Sequence, residues 1–280
     1  MRPKKIVICI TILLLALILL VVDMFFVNNK KVTANTQTLS SLKLGASFDD
    51  FTIVFFADVH YGTSIGLDEL SSMVDLINSF DADIVIFGGD LFDDFLNYSF
   101  DEDEEAYFIA ELARIEASHG KFYVLGNHDL GTTEVYESVL SYMDQANFEL
   151  LNNTATRIYV NEQYINLVGI DSAMLGEPDI ESAYRDVDSQ YFTISVCHTP
   201  DTFDEIPFAD IMFAGHSHGG QIYIPFLNNF YRPLGAQTYF RGTYYSDDKL
   251  LHVSNGVGTT LFNGRLFADS EILVYKLKSS

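Results

Sequence analysis

The sequence is poor in cysteine and in basic residues. Its two cysteines are Cys9, inside an apolar N-terminal segment, and Cys197, inside a strand-like run. We do not expect them to pair, so no disulfide framework exists and cysteine does not indicate the cellular compartment. Beyond Lys31 the chain has 11 lysines and arginines against 38 aspartates and glutamates, a net charge of −27. Such a surface repels phosphates of nucleic acids, which argues against duplex binding and against a nuclease.

The longest run without charge lies near the N-terminus. Ile6 to Val22 is a stretch of 17 uncharged residues, preceded by three basic residues. Its length is at the short edge of a membrane span and exceeds the core of a usual signal peptide. We predict that residues 1–31 form a signal-anchor in the cell membrane, with the N-terminus cytoplasmic and the remainder extracytoplasmic. A cleaved signal, for which Val32-Thr33-Ala34 is a loose cleavage-site match, and a buried core helix are the alternatives.

The rest of the chain divides into a short polar segment and one large domain. Residues 32–47 are rich in Thr, Ser, Asn and Gln, which predicts a linker, and residues 48–280 are then expected to form one large folded domain. No internal repeat is apparent.

From Phe51 onward, apolar runs, polar residues and amphipathic helices alternate. Buried strands are predicted at 51–57, 84–87 and 122–125, and helices at 67–80, about 99–118 and about 133–145. This alternation implies right-handed crossovers and a largely parallel sheet. After Phe148 strands predominate, and they are predicted at 157–160, 164–169, 191–196, 211–214, 221–224, 238–244, 250–253 and 272–277. We therefore predict an α/β fold of two packed sheets with helices on their outer faces.

Five predicted strands end in polar residues that suit one task. These residues are Asp58 and His60, Asp90, Asn127 and His128, His198, and His216 and His218. In open α/β sheets ligands bind at the carboxyl ends of strands. Carboxylate, imidazole and amide oxygen bind first-row divalent metals, and no thiolate is present to favour a structural zinc site. A carboxylate such as Asp90 can bridge two ions, and two ions about 3.5–4 Å apart could clamp a phosphate and activate a water.

Each of these residues alone has a more ordinary interpretation. An aspartate after a strand is usually a helix cap or a turn residue, and Asn127 alone would be a turn residue. His198 alone would be a hydrogen-bonded core histidine. Only the joint pattern at five strand ends favours a metal site.

The motifs resemble a known family. In order, D-V-H, G-G-D-L-F-D, G-N-H-D, V-C-H and G-H-S-H resemble the five-block signature of calcineurin-like metallophosphoesterases, from about Phe51 to the C-terminus. The extension G-H-S-H-G-G-Q-I-Y-I-P is similar to the bacterial YkuE-like branch, whose members are often exported or membrane-anchored. The resemblance implies a four-layer α/β/β/α sandwich of two mixed sheets. The chain departs from relatives at residues 261–265, where they commonly carry proline-bearing segments.

The resemblance also implies a role for each motif residue. Asp58, His60 and His218 would hold one divalent metal ion. Asn127, His198 and His216 would hold the other, with Asp90 shared between the two ions. His128 would contact the phosphate and protonate the leaving oxygen, and Asp129 would orient His128. Manganese, iron and zinc all accept nitrogen and oxygen ligands, so the identity of the two ions stays open.

Five further residues are candidates for contact with the substrate. Tyr61, Gly219 and Gln221 would shape the pocket, although Gln221 could instead pair only with backbone. Arg232 and Arg241 would contact the second substituent on the substrate's phosphate, or would form salt bridges at the rim.

The expected function is a membrane-tethered phosphohydrolase that acts on phosphodiesters or pyrophosphates. Tethering favours lipid or cell-envelope substrates. The alternatives are a phosphomonoesterase and, from another class, a non-catalytic metal-binding scaffold that binds a partner. The sequence does not fix the oligomeric state.

Overall fold

The computed structural model describes residues 3–27, 30–93, 100–224 and 232–280. It begins with α1, Pro3–Phe26, in which an 18-residue window within Lys4–Phe26 has a mean hydropathy of 3.2 and no buried residue. At 1.5 Å per residue these 23 residues extend roughly 35 Å, which exceeds the hydrocarbon thickness of a bilayer. The helix therefore suggests a single-pass membrane anchor.

The first sheet has six strands in the order β1-β12-β2-β3-β4-β5. All neighbouring pairs are parallel except β12 with β2, which is antiparallel. The strands are β1 Thr33–Ser41, β2 Thr52–Phe56, β3 Ile84–Phe87, β4 Lys121–Tyr123, β5 Glu149–Leu150 and β12 Glu271–Ser279.

The second sheet also has six strands, in the order β10-β11-β9-β8-β7-β6. Its central strands β7, β8, β9 and β11 run parallel, while β6 and β10 are antiparallel to their neighbours. The strands are β6 Thr154–Val160, β7 Gln163–Ile170, β8 Thr193–Cys197, β9 Ile211–Ala214, β10 Gly242–Ser246 and β11 Lys249–Val253.

Three hydrophobic clusters separate four layers. The central cluster lies between the sheets, where the rings of Phe55 in β2 and Phe213 in β9 stack with centroids 5.1 Å apart. A second cluster packs the outer face of the first sheet against its helices, and a third covers the outer face of the second sheet. The helices of these outer layers are α2 Leu67–Asn78, α3 Glu102–Ala113, α4 Thr133–Gln145 and α5 Ile180–Tyr184. The predicted α/β/β/α sandwich of two mixed sheets is confirmed.

Local sequence sets where two of these helices begin. The Asp101 side chain accepts a hydrogen bond from the Glu104 amide at 2.8 Å, which caps α3. The Thr132 side chain accepts one from the Val135 amide, which caps α4. The predicted start of α3 at residue 99 lies outside the described residues.

The structure differs from the predicted linker at residues 32–47, because most of that segment is β1. Every residue of β1 has a partner in β12, from Thr33 opposite Glu271 to Ser41 opposite Ser279. As a half-exposed edge strand, β1 is held by backbone hydrogen bonds and needs no alternation of apolar residues. The sequence of β1, which is rich in threonine, serine, asparagine and glutamine, therefore resembles that of a linker.

Candidate metal centre

The turns that follow five strands bring seven potential ligands to one edge of the two sheets. Asp58 and His60 follow β2, Asp90 follows β3, Asn127 follows β4, His198 follows β8, and His216 and His218 follow β9. Six of the seven are buried and Asn127 is partly buried. Both sheets contribute, so the site lies where their strand ends converge.

Three compact groups of ligand atoms make up the centre. Within each group the ligand atoms lie within 4.8 Å of one another. The groups are Asp58 with His60 and His218, Asp90 with His198 and His216, and His60 with Asp90 and His128. The first two match the two predicted ligand sets, apart from Asn127, and Asp90 lies at their junction.

Distances from the two carboxylates describe this junction. Asp90 Oδ2 lies 3.0 Å from His198 Nε2 and 3.7 Å from His60 Nε2. Asp58 Oδ1 lies 3.5 Å from His218 Nε2 and 4.0 Å from the Nε2 atoms of both His60 and His198. Each carboxylate thus faces imidazoles of both ligand sets, as two adjacent cation sites would require.

The backbone at these positions is strained. Five of the seven potential ligands have positive φ, between 44° and 70°, namely Asp58, His60, Asp90, His216 and His218. This left-handed region is uncommon for residues other than glycine, and such strain concentrates at functional sites. The backbone is also closely packed around Asp58, because a Cβ on Gly215 or Gly256 would collide with the Asp58 side chain.

Two hydrogen bonds and one ion-pair contact outside the centre orient three of the imidazoles. His198 Nδ1 donates to the Gly88 carbonyl at 2.7 Å, which leaves Nε2 facing Asp90. His216 Nε2 donates to the Leu234 carbonyl at 2.7 Å, which leaves Nδ1 as its potential ligand atom. His60 Nδ1 lies 3.2 Å from Asp93 Oδ1, which leaves Nε2 facing both carboxylates. Such contacts fix the tautomer and the ring orientation of metal-binding histidines.

Burial and neighbouring charges together set the protonation states of the potential ligands. Burial lowers the pKa of His216 to about 4, with a further contribution from His198, and burial holds the pKa of His218 well below its ordinary value. Burial raises the pKa of Asp58. Burial alone would also raise the pKa of Asp90, but His198 and other imidazoles hold it well below its usual range. His216 and His218 are therefore neutral at pH 7, the state in which imidazole binds a cation.

The donor set fits divalent cations. Asn127 Oδ1, His60 Nε2 and His218 Nδ1 are buried polar atoms without a hydrogen-bond partner. Buried polar atoms are nearly always satisfied, so three orphans within one cluster need an explanation. Nitrogen and oxygen donors without thiolate suit manganese, iron or zinc, and cations would satisfy all three atoms.

The structure corrects the predicted role of Asp129. Its carboxylate accepts hydrogen bonds from the backbone amides of Asp90, Leu91 and Gly126 at 2.8–2.9 Å, so it fixes the turns after β3 and β4. Asp93 takes the predicted place beside His128. His128 Nδ1 donates to the Asp93 carbonyl at 2.7 Å and lies 3.9 Å from Asp93 Oδ1.

Asp93 is a site residue that sequence reasoning missed. It stands three residues after Asp90 in G-G-D-L-F-D, and its side chain also pairs with the Thr260 hydroxyl. The available signal was this second aspartate in the motif. It was passed over because Asp129 is the immediate neighbour of His128.

A cleft of about 510 Å³ opens beside the centre. Asp90, Asn127, His128, His216 and His218 line its base. Its other walls are largely apolar and comprise Met174, Ile222, Pro233, Leu234, Leu261 and Phe262 together with Ser217, Gly220, Gln221 and Thr260.

Of the five predicted substrate contacts, the structure places only Gln221 on this cleft. Its amide is engaged with backbone, since Oε1 accepts from the Thr260 amide at 2.6 Å and Nε2 donates to the Phe262 carbonyl at 3.3 Å. Gly219 has a positive φ of 56° and packs against Asn255.

The other three predicted contacts lie away from the cleft lining. Tyr61 is a core residue, because it is 1% exposed, packs against Phe108 and donates to Glu104. Arg232 donates to the Gln237 carbonyl. Arg241 lies over the Tyr223 ring and donates to the Phe267 carbonyl. Both arginines are held by backbone carbonyls and aromatic rings, which the sequence pattern could not show.

This centre and its cleft define a metal-dependent phosphoesterase. Residues 51–220 match the family model described as calcineurin-like phosphoesterase. The chain belongs to that family, which uses a dinuclear divalent metal centre.

Three relatives illustrate the likeness. Over 255 residues the chain is 30% identical to the uncharacterized metallophosphoesterase YkuE of Bacillus subtilis, covering 89% of this chain and 86% of that protein. It is 28% identical to phosphodiesterase YaeI of Escherichia coli, covering 81% and 82% of the two chains. It is 26% identical to a transmembrane protein with metallophosphoesterase domain of Danio rerio, covering 85% of this chain and 55% of that protein.

Proposed function

We propose that this chain is a membrane-tethered phosphohydrolase that cleaves phosphodiester or pyrophosphate bonds in lipid or cell-envelope substrates. The observation that carries the proposal is the meeting of seven nitrogen and oxygen ligands beside an open cleft, whose base is lined by four of them together with His128. The name of the relative YaeI, a phosphodiesterase, favours a diester over a monoester.

In this proposal the ligands hold two divalent ions of manganese, iron or zinc. Asp58, His60 and His218 would hold one ion, Asn127, His198 and His216 would hold the other, and Asp90 would be shared. Two such cations lower the pKa of water and stabilise negative charge on phosphoryl oxygens.

His128 is the proposed proton donor to the leaving oxygen. A carbonyl only accepts hydrogen bonds, so the bond to Asp93 fixes the proton of His128 on Nδ1 and leaves Nε2 for the cleft. Burial alone would lower the pKa of His128, but Asp90 and Asp93 outweigh it and raise that pKa. A raised pKa keeps Nε2 protonated over a wider range of pH, which suits an acid that protonates the leaving group.

The proposed topology places the N-terminus in the cytoplasm and the catalytic domain outside the membrane. Three basic residues precede the apolar core of α1, as the positive-inside rule expects for a cytoplasmic N-terminus.

The test compares two chromogenic esters with the metal-loaded full chain. We expect bis-p-nitrophenyl phosphate to be hydrolysed with a higher kcat/KM than p-nitrophenyl phosphate, and chelation to remove both activities. A preference for the monoester would instead identify a phosphomonoesterase. A metal-loaded protein that turns over neither ester nor any lipid phosphodiester, yet binds a partner protein tightly, would identify a non-catalytic scaffold.

A further inference from the structure

Exposed apolar side chains cluster at the mouth of the cleft beside the metal centre. Outside α1, 13 large hydrophobic side chains of the described residues are exposed. Six of them line the cleft or stand within two residues of a lining residue: Leu175, Ile222, Ile224, Leu234, Leu261 and Phe262. An apolar concentration rimming a site for anionic phosphate indicates contact with something besides water.

The backbone holds part of this cluster in an unfavourable conformation. Among the described residues, the apolar residues with positive φ are Leu175, Leu261 and Phe267, at 64°, 64° and 55°, and the first two belong to this cluster. The other non-glycine residues there are aspartate, asparagine, histidine and glutamine, most of which tolerate the left-handed region better. Leu261 is also 82% exposed, so burial does not compensate its strain. Strain of this kind is a sign of function.

The end of the membrane helix touches the same segment. The Arg265 amide donates to the Met24 carbonyl at 3.0 Å. Around Gly264 the side chains of Met24, Phe25 and Phe262 crowd so closely that each has an atom 3.0–3.1 Å from where a Cβ would stand. Since the apolar span ends at Phe26, residues 261–265 lie where α1 would leave the bilayer.

Hydrogen bonds also connect residues 260–262 to the metal site. Gln221 follows the His216–His218 turn, and its side chain binds the backbone of Thr260 and Phe262. Residues 260–265 therefore bridge the membrane helix and the turn that carries two potential metal ligands.

We propose that Leu234, Leu261 and Phe262, here called the apolar lip, lie in the bilayer surface and hold the hydrocarbon chain of a membrane lipid phosphoester while its phosphate reaches the metals. This inference rests on the proposed function and selects a lipid among its possible substrates. The chain beyond Lys31, with a net charge of −27, does not attract soluble phosphates from bulk water, whereas apolar contact with a lipid chain supplies binding that charge cannot.

The first test uses the full chain, loaded with Mn²⁺ and reconstituted in phosphatidylcholine vesicles. Its two substrates share one leaving group, 4-nitrophenyl methyl phosphate in solution and 4-nitrophenyl hexadecyl phosphate in the vesicles. We expect the wild type to prefer the hexadecyl ester. Leu261→Asn should reduce the hexadecyl-to-methyl ratio of kcat/KM about tenfold, the equivalent of one exposed leucine's apolar contact.

The matched control is Leu42→Asn. Leu42 is 88% exposed and directly follows β1, so it lies roughly 30 Å from Thr33 at the end of β1 that is nearer to α1 in the sequence. Asparagine suits the positive φ of residue 261, so Leu261→Asn should also keep or raise the melting temperature. A loss of lipid activity without a loss of stability separates a contact with lipid from a structural defect.

The second test measures membrane contact without catalysis. The chain contains no tryptophan, so Phe262→Trp and Leu42→Trp each introduce a single fluorophore. In vesicles of brominated phosphatidylcholine we expect Trp fluorescence at position 262 to be quenched and that at position 42 to be unaffected.

The outcomes separate the two proposals. Equal quenching at both positions, or equal use of both esters, would overturn the apolar lip and leave the phosphohydrolase intact. Hydrolysis of neither ester by the metal-loaded wild type, with position 262 still quenched, would overturn the proposed function and leave the membrane contact standing.

Discussion

The substitution Asp90→Asn tests the dinuclear centre most directly. Asp90 Oδ1 accepts from the His128 amide at 2.8 Å, and Oδ2 faces His198 and His60. Asparagine keeps the first hydrogen bond and almost the same volume, but it replaces the anionic oxygen at the junction of both ligand sets with a neutral group. We expect the variant to fold and to lose affinity for both cations.

The size of the effect follows from ligand linkage. One site at a metal concentration of 100 times Kd stabilises the folded state by about 2.7 kcal/mol. In a domain of this size each kcal/mol raises Tm by roughly 2–4 °C, so Mn²⁺ should raise the Tm of the wild type by about 5–11 °C for each of the two sites. In Asp90→Asn the same concentration should raise Tm by less than about 2 °C.

The assay is circular dichroism melting of the full chain in detergent, with and without Mn²⁺, alongside metal analysis of the purified protein. Asp81→Asn is the control, because Asp81 is exposed at the other end of β3 and its φ of 48° suits asparagine. The reasoning is refuted if Asp90→Asn retains two ions per chain and the full metal-induced rise in Tm.

Three further predictions concern neighbouring groups. His128→Ala should keep both ions and lower kcat by about 10²–10⁴, because His128 is the proposed proton donor and is not one of the seven proposed metal ligands. The measurements are turnover of bis-p-nitrophenyl phosphate and metal analysis, and loss of metal would contradict this role. Asp93→Asn should weaken metal affinity or turnover by about 10–100-fold, measured by metal titration and kinetics, because it orients His60; wild-type values for both would show that the orientation is unimportant. Burial lowers the pKa of His252 to about 4 from 6.5, so the stability from keeping it neutral is present above pH 6.5 and lost as pH falls towards 4. His252→Gln, which can still bind the Tyr275 hydroxyl, should flatten the decline of the unfolding free energy over that range by up to about 3 kcal/mol in urea titrations of the metal-free protein; an unchanged decline would refute the assignment.

The buried strands and their polar ends were predictable because two signals coincide there. The runs Ile84–Phe87 and Ile211–Ala214 were predicted with the bounds that the structure shows. Each is fully apolar and buried on both faces, and each is followed by glycine and a chemically active residue. Parallel strands bring such ends to one edge, so sequence order alone indicated a common site.

Predictions failed where backbone pairing or distant contacts decide the structure. Residues 221–224 were predicted as a strand, yet their pairing there is a single bridge between Ile222 and Leu266. The polar β1 went unrecognised because an edge strand needs no apolar face. Asp93 was overlooked because its contacts with His60 and His128 cross between chain segments and cannot be read from spacing.

Arg265 joins α1 to the metal site. Arg265 is fully buried, and its guanidinium donates to the carbonyls of Gly256, Gly258 and Ala268. Burial lowers its pKa to about 10, so it remains charged at neutral pH and needs those acceptors. The Gly258 amide in turn donates to the Asp58 carbonyl, while the Arg265 amide binds the last turn of α1. One buried arginine thus connects α1 to the first potential metal ligand, so a bilayer that held α1 would also fix the orientation of the cleft.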